Sequence, residues 1–162
     1  MPLQILYDNI TKLDPVPDII VNAANPQLQM GSGVCGAIFK AAGATSLQEA
    51  CDERADDLPI GDTFITDGFN LCKYIFHTVG VVYGTANGNE KALLENCYGS
   101  ALRAFRYKMQ TEGVRSIAFP LISAGIYGYP KEEVLHIAVT AILDYLQDND
   151  VDIDVKLVLW NG

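Results

Sequence analysis

The sequence predicts an α/β fold in which a mixed, largely parallel sheet lies between two layers of helices, a three-layer α/β/α sandwich. Short apolar segments alternate with longer segments of helical periodicity, and this alternation favours parallel strands joined by crossover helices. Of the 162 residues, 49% are hydrophobic and 19% are charged, so there is enough apolar surface for one core and too little charge to keep the chain unfolded. We therefore expect a single domain over residues 1–162.

Six strands are expected, each a short apolar run bounded by polar, proline or glycine positions. They are Leu3–Tyr7, Ile19–Val21, Thr63–Thr66, Tyr74–Val79, Ser116–Phe119 and Val155–Leu159. The segment Asp67-Gly68-Phe69-Asn70 is a turn signal. The third and fourth strands are therefore predicted to form a hairpin.

The first two of four expected helices follow the second strand. Helix formers from Gly33 to Ala42 are entered through a glycine-rich loop, and Gly43 is expected to end that helix. Ser46 and Glu49 have the spacing of a capping box, which predicts a second short helix running to about Arg54.

The other two helices are predicted from apolar positions spaced by three or four residues. In the third helix, which Asn89 is expected to cap and Gly113 to end, these positions are Leu94, Tyr98, Ala101, Phe105 and Met109. In the fourth, which starts at Pro130, they are Val134, Ala138, Ala141 and Tyr145. Each helix should bury this face against the sheet.

Charge and apolar content limit the class of partner. Eleven Lys and Arg against 20 Asp and Glu give a net charge of −9, and the resulting field repels nucleic acid. To bind an anionic ligand, the protein would need local hydrogen-bond donors such as backbone N–H groups and helix N-termini. No apolar run reaches the roughly 20 residues that span a bilayer. We expect a cytoplasmic protein that binds neither nucleic acid nor membrane.

The four cysteines are predicted to be reduced and mostly buried. Cys35, Cys51, Cys72 and Cys97 are unevenly spaced, with no CxxC pair and no Cys/His cluster suited to zinc. We expect neither a metal site nor a redox cofactor.

Two glycine-containing loops follow predicted strands. One runs from Asn22 through Gly31–Gly36, and the other is Leu121–Gly128. Ligands of open α/β sheets bind beyond the carboxyl ends of the strands, where such loops present backbone N–H groups to phosphate. The glycines of either loop alone could equally serve a turn or a helix end. The presence of two such loops favours a phosphate site. Neither matches GxxxxGK[ST] or GxGxxG, which disfavours an ATPase and a dinucleotide-dependent dehydrogenase.

The ordered motifs resemble the macrodomain family, and within it the MacroD-type branch. They are Ile20-Val21-Asn22-Ala23-Ala24-Asn25, Gly33-Val34-Cys35-Gly36-Ala37-Ile38, Phe76-His77-Thr78-Val79-Gly80 and Ser116–Tyr129. The resemblance extends over nearly the whole chain. It implies a cleft for ADP-ribose and, in many members, hydrolysis of the bond between ADP-ribose and an acidic side chain.

The resemblance also implies roles for residues of the two loops. Asn25 would hydrogen-bond the distal ribose, although a loop Asn can instead bond its own backbone, and Asn22 would support the turn. Tyr127 would lie in the cleft beside the distal ribose. The residues implied to enclose the diphosphate are Gly33, Val34, Ser123, Ala124, Gly125 and Ile126.

Adenine is implied to lie at the opposite end of the cleft. Ile10 would offer its backbone N–H, and Trp160 would stack on the base, although a Trp at a strand end often serves only edge packing. The family usually has an acid immediately before the Ile-Thr pair. Here Asn9 occupies that position, so the Asn9 side-chain oxygen, or Asp8, would accept the hydrogen bond of the adenine amino group.

Cys35 departs from the pattern of MacroD-type hydrolases, many of which carry an Asp there that positions the attacking water. A Cys/His nucleophilic pair is not expected, because His77 is predicted in a strand and His136 on a helix. Instead, a phosphate of the bound ligand could hold the water while Asn25 and Tyr127 fix the ribose. Asn25, Tyr127 and Cys35 are thus the catalytic candidates.

The first hypothesis is a mono-ADP-ribosyl-protein hydrolase that could also deacetylate O-acetyl-ADP-ribose. Its partners would be ADP-ribose and mono-ADP-ribosylated proteins, and the chain would act as a monomer. The alternative is a non-catalytic module that binds free or protein-attached ADP-ribose, and a phosphatase acting on ADP-ribose 1″-phosphate is a minor third hypothesis. Cys35 separates the first two hypotheses without deciding between them.

Overall fold

A computed structural model describes residues 2–148 and 152–160, within which six strands and four helices are defined. The strands are β1 (Leu3–Asp8), β2 (Ile19–Ala24), β3 (Thr63–Asp67), β4 (Tyr74–Val79), β5 (Ser116–Pro120) and β6 (Asp154–Trp160). The helices are α1 (Gly33–Ala42), α2 (Ala44–Asp52), α3 (Glu90–Glu112) and α4 (Lys131–Asp148). Every predicted element is therefore present, most with bounds shifted by one or two residues.

The six strands form one sheet in the order β1-β6-β5-β2-β4-β3. β3 is antiparallel to β4, which confirms the predicted hairpin, and all the other neighbouring strands are parallel. The mixed, largely parallel sheet is thus confirmed. Because β1, β6, β5, β2 and β4 run in the same direction, their carboxyl ends meet at one edge of the sheet.

Alternate residues of the central strands pack into two separate cores. Ile19 and Val21 of β2 belong to the core beneath α3 and α4, whereas Ile20 belongs to the core beneath α1 and α2. This is the two-residue period of a strand that is covered on both faces. The arrangement confirms the three-layer α/β/α sandwich.

The long helices bury the faces that their periodicity predicts. In α3 the fully buried predicted positions are Leu94, Tyr98, Ala101 and Phe105, and in α4 they are Val134 and Ala138. Gly113 ends α3 with a left-handed φ of 70°, and its N–H donates to Met109 O at 3.0 Å. None of the described helices is long and apolar enough to cross a membrane.

One predicted helix cap is wrong, and a second has the predicted position without the side-chain bond. α2 begins at Ala44, so Ser46 lies inside the helix; Gly43 ends α1 and also immediately precedes α2, which leaves no room for a capping turn at Ser46. Asn89 precedes α3 but its side chain makes no capping bond. Its φ of −92° and ψ of 6° depart from the extended conformation that directs a capping side chain towards the first helical N–H groups.

All four cysteines are free, as predicted. Cys35, Cys51 and Cys97 are buried and Cys72 is half-buried. Burial raises the pKa of the Cys51, Cys72 and Cys97 thiols to about 12. These three thiols are therefore protonated and poorly nucleophilic at neutral pH.

Candidate functional site

A cavity of about 640 Å³, referred to below as the cleft, lies along the carboxyl edge of the parallel strands. Residues at or next to the ends of β1, β6, β5, β2 and β4 line it, namely Tyr7, Trp160, Pro120, Ala24 and Gly80. With neighbouring strands about 4.8 Å apart, these five ends extend over roughly 19 Å. The cleft therefore suits an elongated small ligand that contacts several strand ends.

Two helices point their N-termini at the cleft from opposite faces of the sheet. Gly33 and Val34 at the start of α1 line it, as does Lys131 at the start of α4. The Ser32 side chain makes no capping bond, and the first turn of α1 contains no acidic residue. Because the first N–H groups of a helix have no partners within the helix, the start of α1 offers unpaired donors and partial positive charge to an anion.

The first glycine-rich loop is compact because its glycines lack side chains. A Cβ on Gly36 would lie 2.6 Å from Gly31 O, which is closer than atoms can approach. Gly33 has a φ of 59°, a left-handed conformation that favours glycine. Gly33 and Val34 line the cleft, as expected of residues predicted to enclose a diphosphate. Their contact with a diphosphate stays a prediction.

The second loop is a succession of tight turns between β5 and α4. Gly128 N donates to Gly125 O at 3.0 Å, and Tyr129 N donates to Ser123 O at 2.9 Å. Ser123 has a φ of 72°, and its buried Oγ has no hydrogen-bond partner within residues 2–148 and 152–160. The predicted diphosphate residues of this loop all line the cleft: Ser123, Ala124, Gly125 and Ile126.

Asn25, immediately after β2, lines the cleft and also closes a loop. Its Nδ2 donates to Gln29 O at 2.8 Å, and Gln29 N donates to Asn25 Oδ1 at 2.9 Å. An amide has a second N–H and a second acceptor lone pair available. The backbone bonds therefore fix the orientation of the amide, while its role in ribose binding stays a prediction.

Cys35 lines the cleft, and its thiol contacts amide groups. Asn22 Nδ2 donates to Cys35 Sγ at 3.6 Å, and Sγ donates to Gln29 O at 3.8 Å. His77 lies beyond Asn22, with its Nδ1 3.1 Å from Asn22 Nδ2, and His136 is exposed on α4. Among the described side chains, no histidine is hydrogen-bonded to Cys35 Sγ.

Asn22 does not support a turn, and that prediction is wrong. It lies within β2, 1% exposed, and its side chain reaches the neighbouring strand at His77. Burial lowers the pKa of His77 from 6.5 to about 3, so the ring is neutral. Nδ1 accepts from Asn22, which assigns the ring proton to Nε2, 3.0 Å from Thr66 Oγ1. Thr66 in turn donates to Asp67 O.

Tyr127 is half-buried and lines the cleft, where it was predicted to lie. Burial, and to a lesser degree the nearby Cys35 thiol, raises the pKa of Tyr127. Its backbone O accepts from Tyr83 N at 2.9 Å, which ties the second loop to the segment after β4. At neutral pH the phenol is therefore protonated and can donate a hydrogen bond to a ligand.

The β1/β6 end of the cleft is aromatic. Trp160 ends β6, 38% exposed, and Tyr7 lies on the adjacent strand, 75% exposed. Both line the cleft. Trp160 is thus accessible from the cleft, while its stacking on adenine stays a prediction, and Tyr7 is a second aromatic candidate that was not predicted.

Asp8, Asn9 and Ile10 do not line the cleft. Asn9 Oδ1 already accepts bonds from Thr11 N at 2.9 Å and Thr11 Oγ1 at 2.6 Å, and Ile10 is 1% exposed. Asp8 Oδ1 accepts from Asn9 N at 2.7 Å. Local turn bonds therefore engage Asn9 Oδ1 and Asp8 Oδ1, and the roles of these three residues stay predictions.

The part of α4 that faces the cleft was not predicted from the sequence. Lys131, Glu132 and Leu135 line it from the first turns of the helix. The predicted helix start at Pro130, taken with the rule that ligands bind beyond strand carboxyl ends, could have identified Lys131 and Glu132.

Sequence comparisons find related proteins over most of the chain. The Macro domain family matches residues 21–138. An O-acetyl-ADP-ribose deacetylase of Citrobacter koseri is 39% identical over 98% of this chain and 88% of that protein. The ADP-ribose glycohydrolase MACROD2 of Homo sapiens is 42% identical over 85% of this chain and 31% of that protein.

The fold matches solved macrodomain structures. The Oceanobacillus iheyensis macrodomain with ADP superposes with a TM-score of 0.90 at 41% identity, over 99% of this chain and 84% of that one. The family match, the identities and this shared architecture agree with one another. The chain therefore belongs to the Macro domain family.

Proposed function

We propose that the cleft binds ADP-ribose and hydrolyses mono-ADP-ribose from Glu or Asp side chains of modified proteins, with O-acetyl-ADP-ribose as a second substrate. The observation that carries the proposal is the pairing of an uncapped helix N-terminus with a turn-rich loop across one elongated cleft. The names of the deacetylase and the glycohydrolase among the relatives support the same chemistry.

In this proposal the ligand lies along the strand ends. The diphosphate lies between the start of α1 and the second loop, where backbone N–H groups replace the positive charge that the chain lacks. Adenine lies beside Trp160 and Tyr7, and the distal ribose beside Asn25 and Tyr127. The amide and the protonated phenol supply the hydrogen bonds that orient the ribose.

The reaction needs a water held near the anomeric carbon of the distal ribose. The water oxygen forms a bond to that carbon as the bond to the modified carboxyl oxygen breaks, and the carboxylate leaves with the electron pair. The proton of the water passes to a diphosphate oxygen of the substrate and then to solvent. Asn25 and Tyr127 contribute by positioning, which is worth several kcal/mol, roughly 7–11 in the best cases.

A non-catalytic ADP-ribose-binding module is the second candidate, and the surroundings of Cys35 favour it. The thiol contacts an amide and a carbonyl, so neither of its hydrogen-bonding neighbours can act as a base. Such a site positions a water less directly than a carboxylate would. The binding features of the cleft are the same for both candidates.

Single-turnover release of ADP-ribose from a Glu-linked protein, run beside an ADP-ribose titration, distinguishes the two. We expect wild type to release ADP-ribose, and Asn25→Ala to slow release by at least about tenfold while retaining most of the affinity. Tight binding without any release by wild type would reject the hydrolase in favour of the binding module.

A further inference from the structure

Among the described residues, the cleft is lined by two charged side chains, and both lie in the first turn of α4. Lys131 can approach an anion. Glu132 is harder to explain in a cleft for a diphosphate, because a carboxylate repels phosphate. Its presence therefore suggests a neutral, hydrogen-bond-donating part of the ligand beside it.

The position of Glu132 along the cleft follows from the chain path. α4 connects β5 to β6, so its start lies beyond the carboxyl ends of these two adjacent strands. Trp160 ends β6, and the second loop leaves β5. From this path we infer that Glu132 lies between the aromatic end of the cleft and the loop proposed to hold the diphosphate, while it also borders a second cavity lined by Tyr83 and Tyr129. In ADP-ribose the group between adenine and diphosphate is a ribose with free 2′ and 3′ hydroxyls.

We propose that Glu132 is a specificity-determining residue that accepts hydrogen bonds from the hydroxyls of the adenine-side ribose and excludes nucleotides phosphorylated there. This inference rests on the proposed function, because it takes its ligand orientation from it. A carboxylate accepts two neighbouring hydroxyls, and the same placement is repulsive to a phosphate ester on either one. Acidic residues serve this purpose against the ribose of NAD in other α/β folds.

Glu133 is the matched control. Like Glu132, it lies in the first turn of α4, is exposed and borders the second cavity, but it does not line the cleft. Both carboxylates interact favourably with the N-terminus of α4 and add equally to the net charge. Only an effect specific to contact with the ligand should distinguish Glu132→Gln from Glu133→Gln.

Calorimetric titrations with ADP-ribose and with ADP-ribose 2′-phosphate test the proposal on wild type and both variants. We expect wild type to prefer ADP-ribose by at least about tenfold, Glu132→Gln to reduce that preference by at least about fivefold, and Glu133→Gln to leave it unchanged. An unchanged preference in Glu132→Gln, or an equal reduction in Glu133→Gln, would overturn the role of Glu132. If wild type failed to bind ADP-ribose at all, the proposed function would fail, and this inference with it.

Discussion

Gly80 and Ser123 touch where the end of β4 meets the second loop: a Cβ on Gly80 would overlap Ser123 Oγ and lie 3.0 Å from Ile122 Cγ2. Both residues line the cleft. Ser123 is 5% exposed and has a φ of 72°, so it has little freedom to move away. The absence of a side chain at Gly80 therefore sets how closely the loop lies against the strand ends.

Gly80→Ala should displace this loop. We expect a loss of about 1–3 kcal/mol in the free energy of unfolding from overpacking, with ADP-ribose affinity reduced by at least about tenfold. Denaturant unfolding and calorimetric titration measure the two effects. Adding Ser123→Gly removes the clashing Oγ and the unfavourable φ, and should recover part of both losses. Normal stability and affinity in Gly80→Ala would contradict the contact.

Gly125→Glu should abolish ADP-ribose binding without harming the fold. A Cβ at Gly125 meets no atom within 4 Å, so the protein itself tolerates a side chain there. Its charge, however, would lie where the diphosphate is proposed. Gly125→Gln has nearly the same size without the charge and should lose less affinity than Gly125→Glu. Equal losses in the two variants, seen by titration, would indicate steric exclusion instead of an anion site.

The strands, the long helices and both loops could be predicted because their signals are local. Apolar spacing and the glycines at Gly43 and Gly113 are visible in the sequence alone. The role of Asn22 could not be predicted, because its partner His77 is distant in sequence and becomes adjacent only through the pairing of β2 with β4. Likewise, the spacing of apolar residues along α4 does not indicate that Glu132 faces the cleft.

His77 should make stability depend on pH. Its folded pKa is depressed to about 3 by burial, so the neutral ring stabilises the fold fully above pH 6.5. As the pH falls below 6.5, His77 binds a proton in the unfolded state but stays neutral in the folded state. The free energy of unfolding should then fall by up to about 1.4 kcal/mol per pH unit.

Denaturant unfolding between pH 7 and pH 4.5 measures this dependence. In His77→Gln the stability lost on acidification should be smaller than in wild type, whatever the variant's stability at pH 7. His136→Gln, which removes an exposed histidine, should keep the wild-type slope. A wild-type slope in His77→Gln would show that other groups are responsible.

Cys35→Ala should retain substantial turnover if a phosphate-held water is the nucleophile. Cys35→Asp should maintain or raise it, because Asn22 Nδ2, 3.6 Å from Sγ, is placed to donate to a carboxylate there. Single-turnover release measures both variants, with affinity determined separately. Loss of all release in Cys35→Ala with unchanged affinity, together with inactivation of wild type by alkylation that ADP-ribose prevents, would establish thiol chemistry instead.

The most direct test of the central claim is a calorimetric comparison of ADP-ribose with ATP on the wild-type chain. ATP shares the adenine, its ribose and the phosphates but lacks the distal ribose, which is proposed to lie beside Asn25 and Tyr127. We expect ADP-ribose to bind at least about tenfold more tightly, since the proposed binding mode uses both ends of the ligand. Binding of ATP equal to or tighter than that of ADP-ribose would contradict the assignment of the cleft.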